Sequence, residues 1–493
     1  MKITSCFILF LLSTVSCVNK NSEQWWPQFR GPNGSGVASK NARPPVEFED
    51  NKLVWKIDLP IGFSSPVVWD DKIFITGSVE DKKELLTICL NRENGKILWQ
   101  KSVFPDTLEK HHSISNPATN TVTTDGERII AYFGSSGLIC YDMAGEMQWE
   151  YSKSAVKYTY GNGTSPVITG DKLILIDDEG KERYLLALDK ISGKEIWKTE
   201  FQIDTLYGYQ GGHATPCIYK DIIIVHKIGG VAAYSIEDGS YLWGYKMLTE
   251  AAGSPVMAGN KVLVNCWYNL GDEAERQKWL DYEELLKKYD SNKNGTINKS
   301  ELPDELMIFQ RPEIKDIERT SISFKDIFEG IDGNEDREIN RNEWLALTEE
   351  LSFYIKPSGL ISINSESRGE LTDSAILWSV MKNTSEVPSP LYYQERAYMI
   401  KDGGFITCIN PETGNILYQD RIGSTGGYFA SPVAANGLIY LFGYNGKLTI
   451  VKAGDVLKII ARHDFKDNIA ATPAIIGNSI YIRTKTGLLA YSD

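Results

Sequence analysis

Apolar positions in this chain come in short runs. Lys72-Ile73-Phe74-Ile75-Thr76 and Ser479-Ile480-Tyr481-Ile482-Arg483 are examples, bounded by polar residues with Gly, Asn or Asp. Runs of that length, rich in β-branched and aromatic residues, predict strands joined by tight turns. One pairing recurs: a Gly followed four residues later by an aromatic, as Gly95/Trp99, Gly145/Trp149, Gly193/Trp197, Gly239/Trp243 and Gly414/Tyr418. In residues 188–197 and 409–418 the whole unit reads as strand, polar turn with Gly, strand. That is a hairpin whose second strand carries an aromatic anchor.

A second pattern marks where each unit begins. Ser-Pro or Thr-Pro, ending in Pro66, Pro166, Pro216, Pro255, Pro390, Pro432 and Pro473, is followed five residues later by a turn residue. Proline is tolerated at the first position of a strand because no ladder donor is lost there. An eighth unit carries Asn120-Thr121 in place of the dipeptide, with Gly126 as its turn residue. Spacings between aromatic anchors are 44, 50, 48 and 46 from Trp55 to Trp243, then 135 to Trp378 and 40 to Tyr418. Removing 89 residues, 269–357, restores the period and leaves eight units averaging 44 residues. Four short strands per unit, repeated in this way, predict an all-β, eight-bladed β-propeller. The last unit stops one strand short, and Leu53-Val54-Trp55-Lys56-Ile57 supplies the missing strand in register with Trp99. An N-terminal strand therefore closes the ring and removes its open edge.

These repeats resemble those of pyrroloquinoline-quinone-type (PQQ-like) propellers, and Trp26-Pro27-Gln28-Phe29-Arg30-Gly31-Pro32-Asn33-Gly34 resembles the leader of exported bacterial members. The resemblance implies the fold and leaves the activity open, because quinoprotein dehydrogenases and non-catalytic lipoproteins of the outer-membrane assembly type share it. The dehydrogenases carry adjacent cysteines over the quinone, and this chain has no Cys-Cys pair.

Residues 269–357 have a different grain. Trp279, Tyr282, Leu285, Leu286 and Tyr289 follow helical spacing and lead into a twelve-residue loop of EF-hand type. Its cation ligands would be Asp290, Asn292, Asn294, the Thr296 carbonyl, Asn298 and the bidentate Glu301, with Gly295 at the sharp turn. A second loop offers Asp332, Asn334, Asp336, the Glu338 carbonyl, Asn340 and Glu343. There Arg337 replaces the glycine, which demands an unusual backbone angle and predicts weaker calcium binding. Ile297 and Ile339 occupy matching positions suited to pairing the loops. Helices are expected over 272–289, 324–331 and 343–354. A dockerin-like module also uses duplicated calcium loops, but the full entering helix expected here favours an EF-hand pair, inserted in blade 5.

The first sixteen residues join one lysine to the apolar run Cys6–Leu12 and a small-residue end before Cys17, the layout of a secretory signal. A small residue before Cys17 also resembles a bacterial lipobox, so Cys17 is the candidate lipidation site, with an ordinary cleaved signal as the alternative. Domains are accordingly 1–16 signal, 17–52 leader or tether, 53–268 propeller, 269–357 insertion and 358–493 the remaining propeller. Export permits disulfides, yet Cys89, Cys140 and Cys408 share one repeated position with Ala187 and Ala233, which predicts inert core thiols.

Net charge is −13, and the insertion holds 22 acidic against 13 basic residues, a balance of −9. The propeller is therefore near neutral, and nothing in it suggests nucleic-acid binding. The segments before the first strand of each unit should gather at one mouth of the channel. They bring His111, His112, Tyr160, Asn162, Tyr209, Gln210, His213 and Tyr428 to a polar-aromatic rim for a sugar-like or aromatic ligand, or for a protein. Glu109, Glu250 and Glu386 are the nearest carboxylates. Two functions stay open: a calcium-binding, lipid-anchored binding or scaffold protein of the cell envelope, or a PQQ-dependent oxidoreductase of alcohols or sugars.

Overall fold

A computed structural model describes residues 25–153, 160–180, 182–202, 211–268, 270–311, 321–353 and 358–493. Eight sheets stand around one axis, each with four antiparallel strands, a short inner one such as Val67–Trp69 and three longer ones outside it, and Gly369–Leu371 adds a parallel strand to the outer edge of blade 4. Inner strands of successive blades lie side by side, and that of blade 8, Ala474–Ile476, meets Val67–Trp69 of blade 1, so the ring is closed. The outermost strand of blade 8 is Leu53–Asp58, paired with Gly487–Ser492. The expected N-terminal closure is thus present.

The Ser/Thr of each Ser-Pro or Thr-Pro unit serves the neighbouring blade. The amide of Ser65 donates to Thr121 Oγ1 (3.0 Å), that of Thr121 to Ser165 Oγ (3.0 Å), and that of Ser165 to Thr215 Oγ1 (3.1 Å). The series continues through Ser254, Ser389, Ser431 and Thr472 at 2.9–3.0 Å. These amides are buried, so each needs an acceptor, and the hydroxyl next door supplies it. Blade 2 joins the series through Thr121, and its ladder pairs Thr123 with Ile130 as blade 1 pairs Val67 with Phe74. Thr121-Val122, one residue later than the sequence expectation, therefore takes the dipeptide's place.

The aromatic anchors make a second series farther out. The indole N–H of Trp55 donates to Arg92 O, of Trp99 to Met143 O, of Trp149 to Lys190 O, of Trp197 to Ile236 O, and of Trp378 to Pro411 O, at 2.9–3.3 Å. Each ring lies on the hairpin glycine of the next blade. A Cβ on Gly95 would stand 2.6 Å from the Trp55 ring, and its φ of +70° is left-handed, so both space and backbone require glycine. Opposite each anchor in the ladder sits a small residue, as in Cys89↔Trp99, Cys140↔Trp149, Ala187↔Trp197 and Cys408↔Tyr418. All five described cysteines are buried and free, as core thiols should be.

The two ends of the axis differ. From Trp25 the leader crosses the end where inner strands turn outward. Trp25–Trp26 pairs with Val67–Trp69, Val37 bridges Ala434, and the Arg43 amide donates to Gly477 O. Trp25 stacks on Trp69 with centroids 4.3 Å apart. The opposite end carries the pre-strand loops and the insertion, which leaves blade 5 after Cys266 and returns at Gly359. Two of its helices are shorter than expected, α1 Tyr282–Tyr289 and α2 Phe328–Ile331, whereas α3, Arg341–Phe353, begins two residues earlier than expected. Asp281 caps α1 in a capping box with Glu284, and the chain before it is drawn onto the propeller through Asp272. A turn in which Asp326 accepts from Ser323 occupies the start of the second expected helix.

The hydroxyl series makes a direct prediction. Thr215→Val keeps the shape but strands the buried Ser165 amide, and should cost about 1–3 kcal/mol in urea unfolding; an unchanged midpoint would remove the series from the account.

Candidate functional site at the open mouth

Three features meet at the mouth that carries the insertion. On blades 1–3 the expected rim is partly assembled. The His112 amide donates to Tyr160 O (3.0 Å), and the two rings meet edge to face at 6.0 Å. Asn162 accepts from Asn120 Nδ2 (2.7 Å) and donates to Tyr132 Oη (3.2 Å). His213 packs beside Gly163, where a Cβ would stand 2.9 Å from the His213 Cβ. Burial pushes the His213 imidazole down to about 4. His111 turns outward, with Nε2 3.4 Å from Glu80. Tyr428 is not with this group: it is buried on blades 6–7, its amide donating to Asp402 and its hydroxyl to Ser424 O. Tyr209 and Gln210, like Cys17, lie outside the described residues.

Of the acids beside the rim aromatics, the sequence pattern marked Glu109 but not Asp177 or Asp178. Asp177 binds Lys153, which also donates to Tyr132 Oη (3.0 Å). Asp178 accepts from the Ile228 amide (2.6 Å) beside Arg183, and burial lifts its carboxyl to about 6. Glu109 sits over Gly134, accepts from the Ser135 amide, and is pushed up to about 7 by burial. Between blades 3 and 4 a groove of about 490 Å³ continues from Asp178 past Arg183, Lys227, Phe201, Tyr234 and Tyr241. Charged residues at the end of a unit's second apolar run, Asp177-Asp178 and Lys401-Asp402, were the available signal.

The second feature binds the insertion to the propeller. Lys401, 1% exposed, reaches Asp272 (2.9 Å) and Glu275 (2.6 Å). Arg311 reaches Glu275 (3.2 Å), Glu386 (2.7 Å) and Asp402 (3.3 Å), with its guanidinium 5.0 Å from the Trp267 ring centroid. Asp272 also accepts the amides of Asn383 and Thr384. Burial, with Glu386 nearby, lifts Asp402 to about 7.

The third feature is the loop pair. Asp290 accepts the amides of Asn294 and Gly295, Asn292 that of Asn294, and Asn294 that of Thr296. Glu301 accepts those of Ser291, Asn292 and Asn298; these bonds outweigh its partial desolvation and hold its carboxyl below the usual range. The second loop repeats this position for position: Asp332 to Asp336 and Arg337, Asn334 to Asp336, Asp336 to Glu338, and Glu343 to Gly333, Asn334 and Asn340. Arg337 takes φ +69° where Gly295 takes +84°, as the loop geometry requires. Ile297 pairs with Ile339 in a short antiparallel ladder. Asn298 and Asn340 cap the following turns through the amides of Ser300 and Asn342.

Comparison with known proteins places the frame. The family model for outer membrane protein assembly factor BamB matches residues 45–202 and 181–273. The chain is a PQQ-like β-propeller. BamB of Moranella endobia (strain PCIT) is 31% identical over 125 residues, a match to 22% of this chain and 32% of that protein's length. Among solved structures, BamB from Moraxella catarrhalis aligns with TM-score 0.53 at 14% identity, covering 90% of this chain and 97% of that one. A europium-containing methanol dehydrogenase aligns with TM-score 0.59 at 9% identity, covering 96% and 98%. At such identities the PQQ-like propeller shares its frame with both kinds of protein, and the likeness shows fold alone.

Two tests address the mouth. Lys401→Met leaves Asp272 and Glu275 buried without their shared cation, and should cost about 3–5 kcal/mol in urea unfolding. Glu109 holds its proton in the folded protein at pH values where the unfolded chain has lost it, so its contribution to stability falls as pH rises from about 4.5 to about 7. Glu109→Gln should flatten the pH dependence of the melting temperature in that window; an unaltered slope would show that Glu109 does not titrate there.

Proposed function

We propose that this PQQ-like propeller is a calcium-binding protein of the cell envelope, lipid-anchored at Cys17, that holds a partner at its open mouth. The observation that carries the reading is the loop pair, whose backbone amides converge on the same carboxylate and amide oxygens in both loops. Such loops keep their acidic side chains aimed inward, where a hard cation takes oxygen ligands. Asp290, Asn292, Asn294, the Thr296 carbonyl, Asn298 and Glu301 would hold the first ion. Asp332, Asn334, Asp336, the Glu338 carbonyl, Asn340 and Glu343 would hold the second. Among the described residues no three His, Cys, Asp or Glu side chains form a ready-made metal cluster. The site would therefore rely on a mixed set of carboxylate, amide and backbone oxygens, which suits calcium and implies modest affinity.

No described helix is long and apolar enough to cross a membrane, and attachment would come through lipid on Cys17 alone. The named BamB relatives are assembly factors of the outer membrane, which supports an envelope location and a protein partner here. The aromatic and charged groove of blades 3 and 4 would suit such a partner, or a carbohydrate-like ligand. Titration calorimetry of the mature chain with calcium should register two sites, reduced to one by Glu301→Gln. Absence of binding heat, with a melting temperature indifferent to calcium, would overturn the calcium reading. Reduction of a dye by alcohols or sugars after addition of pyrroloquinoline quinone would overturn the non-enzymatic one.

A further inference from the structure

The end of the axis covered by the leader holds a charge that the propeller leaves uncompensated. Arg30 is fully buried. It sits in the leader, yet its Nη2 donates to Pro390 O of blade 6 (2.6 Å), and to Ser35 O (3.3 Å). Pro390 follows Ser389 of the hydroxyl series. Leu391 of blade 6 and Pro432 of blade 7 meet the same stretch at Gly36. On blade 4, the inner strand Cys217–Tyr219 lies against leader residues Pro32–Gly34. The guanidinium thus lies among inner strands on different sides of the ring.

Among the described residues, Nε and Nη1 of Arg30 have no hydrogen-bond acceptor. Arg483 also has two buried nitrogens without an acceptor, but the carboxylate of Asp467 acts on its charge. For Arg30 none of the carboxylates among the described residues does so. A buried, unpaired guanidinium costs several kcal/mol. Burial brings this one down only to about 9, so it remains charged at neutral pH. An apolar residue would fill space in the leader at less cost. An arginine kept here, with donors to spare, is explained by something negative that it binds.

We propose that Arg30 holds a small inorganic monoanion of chloride size on the propeller axis, enclosed between the leader and the inner strands. Such an ion supplies the missing charge and accepts the free N–H groups, and it ties the leader to blades 4, 6 and 7. Neutral water could accept the same hydrogen bonds but would leave the charge unbalanced, so the two occupants are distinguishable.

The mature chain, unfolded in urea and refolded in bromide, should give crystals with one anomalous bromide peak within hydrogen-bond distance of Arg30 Nε or Nη1. Water without anomalous signal at that position would overturn the proposal, as would a peak there that persists in Arg30→Met. In solution, replacing gluconate by chloride at constant ionic strength should stabilise the wild type. Each tenfold rise in chloride above saturation should multiply the folding constant about tenfold, and Arg30→Met should show no such dependence. A wild type indifferent to chloride would also overturn it. Should Arg30→Met fail to fold, the diffraction result on the wild type decides alone.

Discussion

Everything in this molecule rests on the step from one blade to the next. A single blade cannot bury its hydrophobic faces alone, so each blade depends on its neighbours. The step is made twice, at two radii. Near the axis a hydroxyl accepts the buried amide of the preceding blade. Near the rim an indole lies on a glycine and donates to a carbonyl of the following hairpin. Both contacts are directional, so they fix spacing and rotation as well as adhesion. Because Leu53–Asp58 completes the last blade, the series has no free end.

A ring fixed in this way can carry irregular loops at its ends. At the open mouth, carboxylates and cations are buried beside aromatic rims, and several are held far from their ordinary titration range. The insertion uses the same end. It is joined to blades 5 and 6 by a buried network of Lys401 and Arg311 with four acids, and by the backbone contacts of Asp272. Buried ion networks cost much of what they return in stability, and their better-attested use is to specify one arrangement. Here the arrangement specified is the seat of the loop pair on the mouth. The contacts reach residues 383–386 and 401–402 of blades 5 and 6.

Most of the frame was legible in the chain. The Gly-to-aromatic interval and the Ser/Thr-Pro units set the blade number and the closing strand, because each motif is the residue-level form of a contact that every blade must make. Blade 2 was misplaced by one residue because Thr121 keeps the hydroxyl while Val122 replaces the proline, and the proline is the more visible sign. The pairing of the two loops through Ile297 and Ile339 was legible for a similar reason: position in a twelve-residue loop dictates residue type. The length of the entering helix was not, because Asp272 and Glu275 fit a helical pattern but are committed to partners 100 or more residues away. The rim was read in part. His112, Tyr160 and Asn162 do meet, whereas Tyr428 lies across the ring, since local composition cannot report which blades face each other. Asp178 was silent as a site residue, and Glu109 was visible only as a nearby carboxylate, because the character of both comes from burial.

The central claim is that the loop pair is a calcium site seated rigidly on the propeller mouth. Hydrogen exchange on the full mature chain, with calcium and with chelator, tests it most directly. Calcium should slow exchange in residues 290–301 and 332–343, and also in 381–386 and 399–402, which the ion network joins to the insertion. Identical exchange in both loops with and without calcium would contradict the site, and protection confined to the loops would contradict its coupling to the propeller.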